Sequence, residues 1–474
     1  MHKPLRILFL SSEADPFVKV GGLGDVAGSL PNAILNLHDG LEIKLVIPFY
    51  PMIKTDNFDI NYELNFSILR EGVKIPVQVF KTLKEDLEVY FISGEPFARI
   101  NKVYDTDSAI DGEKFIFFSL AALELARKLN WRPDLVHSND WHTAIALYAV
   151  KRSFGELFWY GVKTILTVHN LCYMGAGSEG SMNAYGLPPA NSPDLPWWGQ
   201  QTPMPLGLWA ADEIIAVSPT YAQEIQTPEY GCGLEKYLFS RRETVVGIVN
   251  GIDTVFWNPE NDQYLLRSYN SKKIEPRIEN KLFLQKQFGL EQDSTIPLMT
   301  MVTRMDQQKG VDIAINALRI LADMKWQVIL LGSGNPEIEA LAQKLEDDFP
   351  GRVHAAIRYD EKLSHQLYGG ADMLLMPSRY EPCGLAQLIA MRYGTVPLAR
   401  STGGLRDTIE ESVSGFLFAD PEPNSMANAL FKAINTFHIK KTWKRIQISG
   451  MEKNYSWNNS AYSYVAQYKK MIIE

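Results

Sequence analysis

In Lys19-Val20-Gly21-Gly22-Leu23-Gly24-Asp25 a lysine meets bare backbone just ahead of a helix-like segment running to Leu37. Unsatisfied amides at a helix N-terminus, together with its dipole, favour an anion. The chemical reading is a phosphate-bearing ligand held near Lys19, Gly22 and Asp25; the plain alternative is a tight turn with a solvated lysine. The spacing is neither Gly-x-Gly-x-x-Gly nor a Walker loop, which speaks against NAD binding and ATP hydrolysis. A second cationic pair, Arg304 and Lys309, follows the apolar run 298–302 and precedes a helix opened by Gly310. Cations at such a sheet edge could clamp a diphosphate and stabilise the charge that develops as a glycosyl bond breaks. Two surface cations in a loop are the equal alternative.

Glu381 lies in Arg379-Tyr380-Glu381-Pro382-Cys383-Gly384-Leu385, between the apolar run 372–376 and a helix through Tyr393. A carboxylate there can accept hydrogen bonds from sugar hydroxyls, or be an ordinary loop carboxylate. The glycines here and in Thr402-Gly403-Gly404-Leu405 let backbone amides approach phosphate oxygens. Cys383 reads better as a small buried residue than as a reactive thiol. In the first half, His137, Asp140, His142 and His169, with Asn170, fall at strand ends. Their spacing is not His-Glu-x-x-His, so no metal is expected, and sugar-hydroxyl recognition competes with a purely structural role.

These residues need two sheets to position them. Apolar strand-length runs at 6–11, 43–47, 89–92, 135–137, 164–168 and 214–217 alternate with helical stretches such as 115–129 and 143–152, which predicts a parallel α/β sheet. After the turn Asn250-Gly251-Ile252-Asp253 a second series follows, at 298–302, 327–332, 353–357, 372–376, 395–398 and 415–418. The expected domains are 1–245 and 246–455, each a doubly wound Rossmann-like unit. Residues 258–279 lack a period and read as a surface excursion. Tyr462, Val465, Tyr468 and Ile472 share one face of a final helix at 456–474, which should pack on a folded partner. Gly21-Gly22-Leu23-Gly24-Asp25 is echoed faintly by Gly403-Gly404-Leu405-Arg406-Asp407.

Composition narrows the function classes. The 474 residues suffice for two large domains, and 46% hydrophobic with 22% charged residues fits a packed globule. The formal net charge of −8 argues against a nucleic-acid binder. No apolar run approaches the ~20 residues that span a bilayer. The apolar run after Lys3 and Arg6 ends in Ser-Ser-Glu without a small-residue cleavage site, so a signal peptide is not expected. Three cysteines, with no Cys-x-x-Cys, fit a reducing cytoplasm.

Taken together, the motifs resemble the bacterial glycogen synthase and plant starch synthase family. Lys19 to Leu23 resembles its N-terminal signature; 377–385 with 401–405 resembles its C-terminal one. Asn139-Asp140-Trp141-His142, His169-Asn170-Leu171, Val217 to Ala222, Asn250 to Asp253 and Arg304 to Gly310 match in order, so the resemblance spans nearly the whole chain. It implies a GT-B glycosyltransferase, two Rossmann-like domains facing a cleft, with the last helix returning to the first. It also implies retaining transfer of glucose from ADP-glucose, with UDP-glucose as the other candidate donor, to the non-reducing end of an α-1,4-glucan, without a cofactor. By the same resemblance Arg304 and Lys309 form the diphosphate clamp, Glu381 contacts the donor sugar and His169 lies beside the anomeric centre. Lys19 and Gly22 lie near phosphates and glucose, Asp140 and Asn250 are further cleft residues, and Tyr359 is an aromatic near the base. Amides at Cys383, Gly384, Leu385, Thr402, Gly403 and Gly404 contact phosphate and sugar.

Two departures from the family pattern stand out. The stretch Gly199 to Trp209 is shorter than usual and interrupted by prolines, which bears on the acceptor. The position eight residues after Glu381, a second glutamate in related retaining transferases, is Ile389. Competing readings are a same-fold transferase with another nucleotide sugar or a small-sugar acceptor, and a non-catalytic glucan-binding protein; keeping Arg304, Lys309 and Glu381 together argues against the last.

Overall fold

The computed structural model describes residues 4–37, 40–98, 101–153 and 155–473. The chain forms two units, Met1–Gly251 with Trp457–Glu474, and Ile252–Ser456. Lys3 lies outside the described residues.

The first unit carries β1 (Leu5–Leu10), β2 (Leu41–Pro48), β3 (Asn61–Arg70), β4 (Val73–Lys84), β5 (Leu87–Gly94), β6 (Leu135–Asn139), β7 (Lys163–Val168), β8 (Glu213–Ala216) and β9 (Val245–Gly247). They pair in the order β3-β4-β5-β2-β1-β6-β7-β8-β9. From β5 to β9 every pairing is parallel. Ile7, Leu8, Phe9 and Leu10 of β1 are all buried, as expected of a strand covered on both faces. Each such large side chain contributes roughly 1.5–3 kcal/mol of burial.

The wholly parallel sheet expected from the sequence is corrected at one edge, where β3 and β4 form an antiparallel hairpin that continues onto β5. The apolar residues these two strands bury alternate, Phe66 and Ile68 on one and Ile75, Val77 and Val79 on the other, so they lack the continuous apolar run that marks the central strands. The domain boundary also shifts. β9 pairs with β8, so the first unit extends past the expected break at 245 to Gly251.

The second unit carries β10 (Leu298–Val302), β11 (Gln327–Gly332), β12 (Val353–Ile357), β13 (Met373–Met376), β14 (Val396–Arg400) and β15 (Phe416–Phe418), all parallel, in the order β12-β11-β10-β13-β14-β15. Val328 and Leu330 face one apolar core and Ile329 and Leu331 the other, which is why β11 reads as unbroken apolar sequence. The aperiodic excursion ends at Pro276, where the helix Arg277–Gln287 begins.

The final helix, Trp457–Ile473, packs on the helix Gly22–Leu37 of the first unit. Tyr464 and Tyr468 are fully buried there, and Ser460 donates to the Val249 carbonyl at 2.7 Å. The three cysteines, expected to fit a reducing cytoplasm, include a pair: Cys172 and Cys232 form a disulfide with Cα atoms 5.8 Å apart, where two loops 60 residues apart in sequence meet. Cys383 is free and buried.

Candidate active site

Strand order decides where each sheet can bind a ligand. In an open parallel sheet the crevice forms at the carboxyl ends of the strands, where the winding direction reverses. In the first unit that point lies between β1 and β6, and in the second between β10 and β13. The loops leaving these four strands carry Lys19 and Gly22, Asp140, Arg304 and Lys309, and Glu381.

In the second unit the structure brings Lys309 and Glu381 together. Lys309 Nζ donates to both Glu381 carboxylate oxygens, at 2.9 and 2.7 Å, and the Ser378 hydroxyl adds a bond of 2.9 Å to Oε2. Glu381 is buried, 4% exposed. Local geometry makes the approach possible. Gly310 has φ of +65°, and a Cβ there would sit 2.1 Å from the Pro377 carbonyl oxygen, so only glycine lets the loop after β10 pass the end of β13. Gly403, with φ of +42°, is pressed as closely on the Glu381 carbonyl. The Gly404 amide donates to that carbonyl at 3.1 Å, so it holds the loop after β13 against the helix Gly403–Thr408.

Asp306 braces the loop after β10: it caps the Lys309 backbone amide at 3.0 Å and pairs with the Arg304 side chain at 2.9 Å. The Arg304 side chain is 58% exposed, the more available of the two charges. Cys383, Gly384 and Leu385 lead into the helix Ala386–Arg392, and Thr402 precedes the one opened by Gly403. Ile389 packs into the apolar core, so no carboxylate stands at that position. Tyr359 follows β12, the outer strand, and is 83% exposed; it is not gathered with the Lys309–Glu381 pair.

In the first unit Asp140 is the centre. Its Oδ1 accepts the His169 and Asn170 amides at 2.7 and 3.2 Å, joining the loops after β6 and β7. Its backbone, at φ of +55°, is in a conformation that costs a non-glycine residue of order 1–3 kcal/mol and that concentrates at functional sites. Burial raises its carboxyl to a pKa of about 7, opposed by those two amides. His169 Nε2 bonds Asn139 Oδ1 at 3.0 Å, and loss of hydration lowers its pKa to about 3, so the ring is neutral. Lys19 pairs with Asp25 at 2.5 Å. The helix Gly22–Leu37 starts at Gly22, so the two echoed glycine motifs both open helices. Asn250 is buried with Oδ1 lacking a hydrogen-bond partner among the described residues, as a ligand contact would require.

The remaining histidines divide. His137 is a core residue, bonded to Tyr468 and to Thr167, both at 2.7 Å. His142 is buried among Tyr104, Phe115 and Trp141.

Family models match along the chain: "Starch synthase catalytic domain" over residues 6–240 and "Glycosyl transferases group 1" over 284–445. A protein named glycogen synthase from Thermodesulfovibrio yellowstonii is 36% identical, with 99% of this chain and 98% of that one covered. Another from Bacillus anthracis is 36% identical over 99% and 100%. The catalytic domain of starch synthase IV from Arabidopsis thaliana, bound to ADP and acarbose, superposes with a TM-score of 0.90 at 32% identity, covering both chains completely. The chain belongs to the glycogen synthase and starch synthase family. Its fold is GT-B, and it is a glycosyltransferase. No described helix is long and apolar enough to cross a membrane.

Sequence reading missed one residue of this glycosyltransferase that its geometry singles out. Glu13 is buried, and its Oε2 accepts the amides of Val20 and of Gly21, the latter at 3.2 Å, while Tyr104 donates to Oε1 at 3.0 Å. It therefore shapes the Lys19–Gly22 loop from beneath, and burial raises its pKa. The signal was present as Ser-Ser-Glu at the end of the first strand, a charge where β1 leaves the core.

Proposed function

We propose that the chain transfers glucose from ADP-glucose to the non-reducing end of an α-1,4-glucan with retention of configuration. The observation that carries the reading is the Lys309–Glu381 pair at the switch point of the second sheet, with Arg304 on the same loop as Lys309. A diphosphate leaving group gains charge as its bond to the anomeric carbon breaks, and fixed cations lower that barrier more than they strengthen ground-state binding. Glu381 holds Lys309 in place with two oxygens and keeps remaining lone pairs for sugar hydroxyls. The glucan hydroxyl forms the new bond to the anomeric carbon, the nucleoside diphosphate departs and the hydroxyl proton is released.

Asp140, His169, Asn170 and Asn250 supply hydrogen-bonding groups for sugar on the first unit, with neutral His169 able to act without a charge change. Support for the glucan comes from relatives named glycogen synthase and from the starch synthase structure holding ADP and acarbose. The test is ADP release from ADP-glucose with and without glycogen, run beside UDP-glucose on the same primer. Release that requires glycogen and prefers ADP-glucose is expected; equal release without glucan would sink the reading. The cytoplasmic location belongs to the same proposal, and is checked by whether Cys172 and Cys232 are reduced in cells.

A further inference from the structure

The helix Lys440–Met451 in the second unit carries a charge pattern that its own stability does not call for. Lys440, Lys441, Lys444 and Arg445 crowd its first six residues, no acidic residue stands in its first turn, and no side chain caps its N-terminus. Cations are unfavourable at that end of the dipole. Lys440 with Lys444 and Lys441 with Arg445 are also like-charged neighbours four residues apart, which is unfavourable again.

The helix cannot rotate to relieve this, because Trp443, Ile446 and Met451 are buried. Its outer side, with Glu410, walls a groove of about 540 Å³. Four cations line the groove, Lys441, Lys444, Arg445 and Lys453, against two carboxylates, Glu410 and Glu452. Lys453 is paired with Glu410, and Lys444 with Glu275. No ion pair or hydrogen bond engages the Lys441 or Arg445 side chains among the described residues. With Lys444 and Lys453 paired, Lys441 and Arg445 face the single carboxylate of Glu452, so the groove keeps an excess of one positive charge in a chain whose formal net charge is −8.

We propose that this groove is a binding site for a small phosphorylated metabolite, whose phosphate group is taken by Lys441 and Arg445, outside the residues assigned to glucosyl transfer. The groove is shallow and open, so it suits a ligand held chiefly by its charged group. A guanidinium and an ammonium presented one turn apart suit a phosphate dianion, the guanidinium by paired N–H donors and the ammonium as a point charge. Bound there, the anion would also offset the helix-dipole and like-charge costs.

The test is calorimetric titration of the full-length protein, saturated with ADP so that the transferase site is occupied, at fixed ionic strength. Inorganic phosphate is the probe in one arm and fructose 6-phosphate in the other. Saturable one-to-one binding is expected for the wild type. Lys441→Glu and Arg445→Glu should each weaken it roughly tenfold or more, the equivalent of one lost charged hydrogen bond. Transfer activity without the probe should be unchanged in both, and both should melt no lower than wild type, since charge reversal eases the crowding. Equal affinity for the two probes assigns the site to the phosphate group itself; preference for fructose 6-phosphate assigns it to a phosphosugar. Absence of saturable binding by either probe, or wild-type affinity in both folded variants, overturns the proposal.

Discussion

Lys309 and Glu381 meet across 72 residues of chain, and the burial of the pair decides how each substitution should behave. Removing Lys309 takes away a cation assigned to the leaving group, for which a loss of about 10²–10³ in kcat is expected. It also leaves Glu381 buried without its partner, which costs of order 3–5 kcal/mol. Arg304 is exposed, so Arg304→Ala should lower kcat while leaving the melting temperature close to wild type. The double variant Lys309→Ala/Glu381→Gln should recover much of the stability lost in Lys309→Ala and none of the activity. Recovery of activity in the double variant would show that Lys309 serves only to neutralise Glu381. Lys3→Ala serves as a control with no expected effect.

Asp140 gives a second residue-level expectation. Its carboxyl titrates near 7 when folded and near 3.9 when unfolded, so between those values the folded state binds more protons and this group's contribution makes stability fall as pH rises. Asp140→Asn should remove that component, and wild-type and variant melting curves compared from pH 4 to 7 would reveal it. Parallel pH profiles for the two proteins would mean the carboxyl is not held near 7. Partners such as these were only half legible in the sequence. The residue types and their strand-end positions could be read, but that Glu381 faces Lys309, or Glu13 the Gly21 amide, depends on strand order, which local patterns do not encode.

Among the elements, the central strands were legible because burial on both faces makes them continuous apolar runs, and β10, β11 and β12 fall at 298–302, 327–332 and 353–357 as expected. The β3–β4 hairpin was not, since its half-exposed strands mix Asn, Glu, Lys and Gln with the buried alternate positions. The Cys172–Cys232 link was equally hidden, because pairing at a distance of 60 residues leaves no local mark. It ties the loop carrying His169 and Asn170 to the segment before the helix Glu235–Ser240. The same loop is held at Met174, whose carbonyl accepts the Met204 amide at 3.0 Å, so the stretch 199–209 packs beside it. Closing a loop of that length is worth up to ~4 kcal/mol in chain entropy. Oxidised wild type should therefore be about 2–4 kcal/mol more stable than Cys232→Ser, and the two should become equal after reduction. Denaturant melts with and without dithiothreitol measure this; an equal gap in both conditions would mean that serine disturbs packing and the crosslink contributes nothing.

At the scale of the complete chain, the second unit is an insertion. The backbone leaves the first unit after Gly251 and returns to it at Trp457, so the first unit is built from two separated stretches of sequence. The returning stretch covers the helix Gly22–Leu37, whose first residue belongs to the Lys19–Gly22 loop, and Tyr468 reaches His137 in the middle of β6, two strand positions before Asn139. His137 has both ring nitrogens bonded and its pKa pushed down to about 3 by burial, so it remains neutral and needs a partner for Nδ1. Tyr468→Phe keeps the ring and removes only that partner, an expected cost of about 1–3 kcal/mol. For a unit of this size the corresponding drop is roughly 2–4 °C for each kcal/mol. Ending the chain at Ser456 should do far more to the first unit, exposing the apolar surface now covered by Trp457, Ala461, Tyr464, Val465 and Met471, while the second unit, whose cores are built from residues 252–451, should still fold. Calorimetry should then show one transition lost or strongly lowered and one retained, with proteolysis confined to 4–251. Two unchanged transitions in the truncated protein would mean that the first sheet is stable without its returning helix, and that Tyr468 is an accessory to a core complete before it arrives.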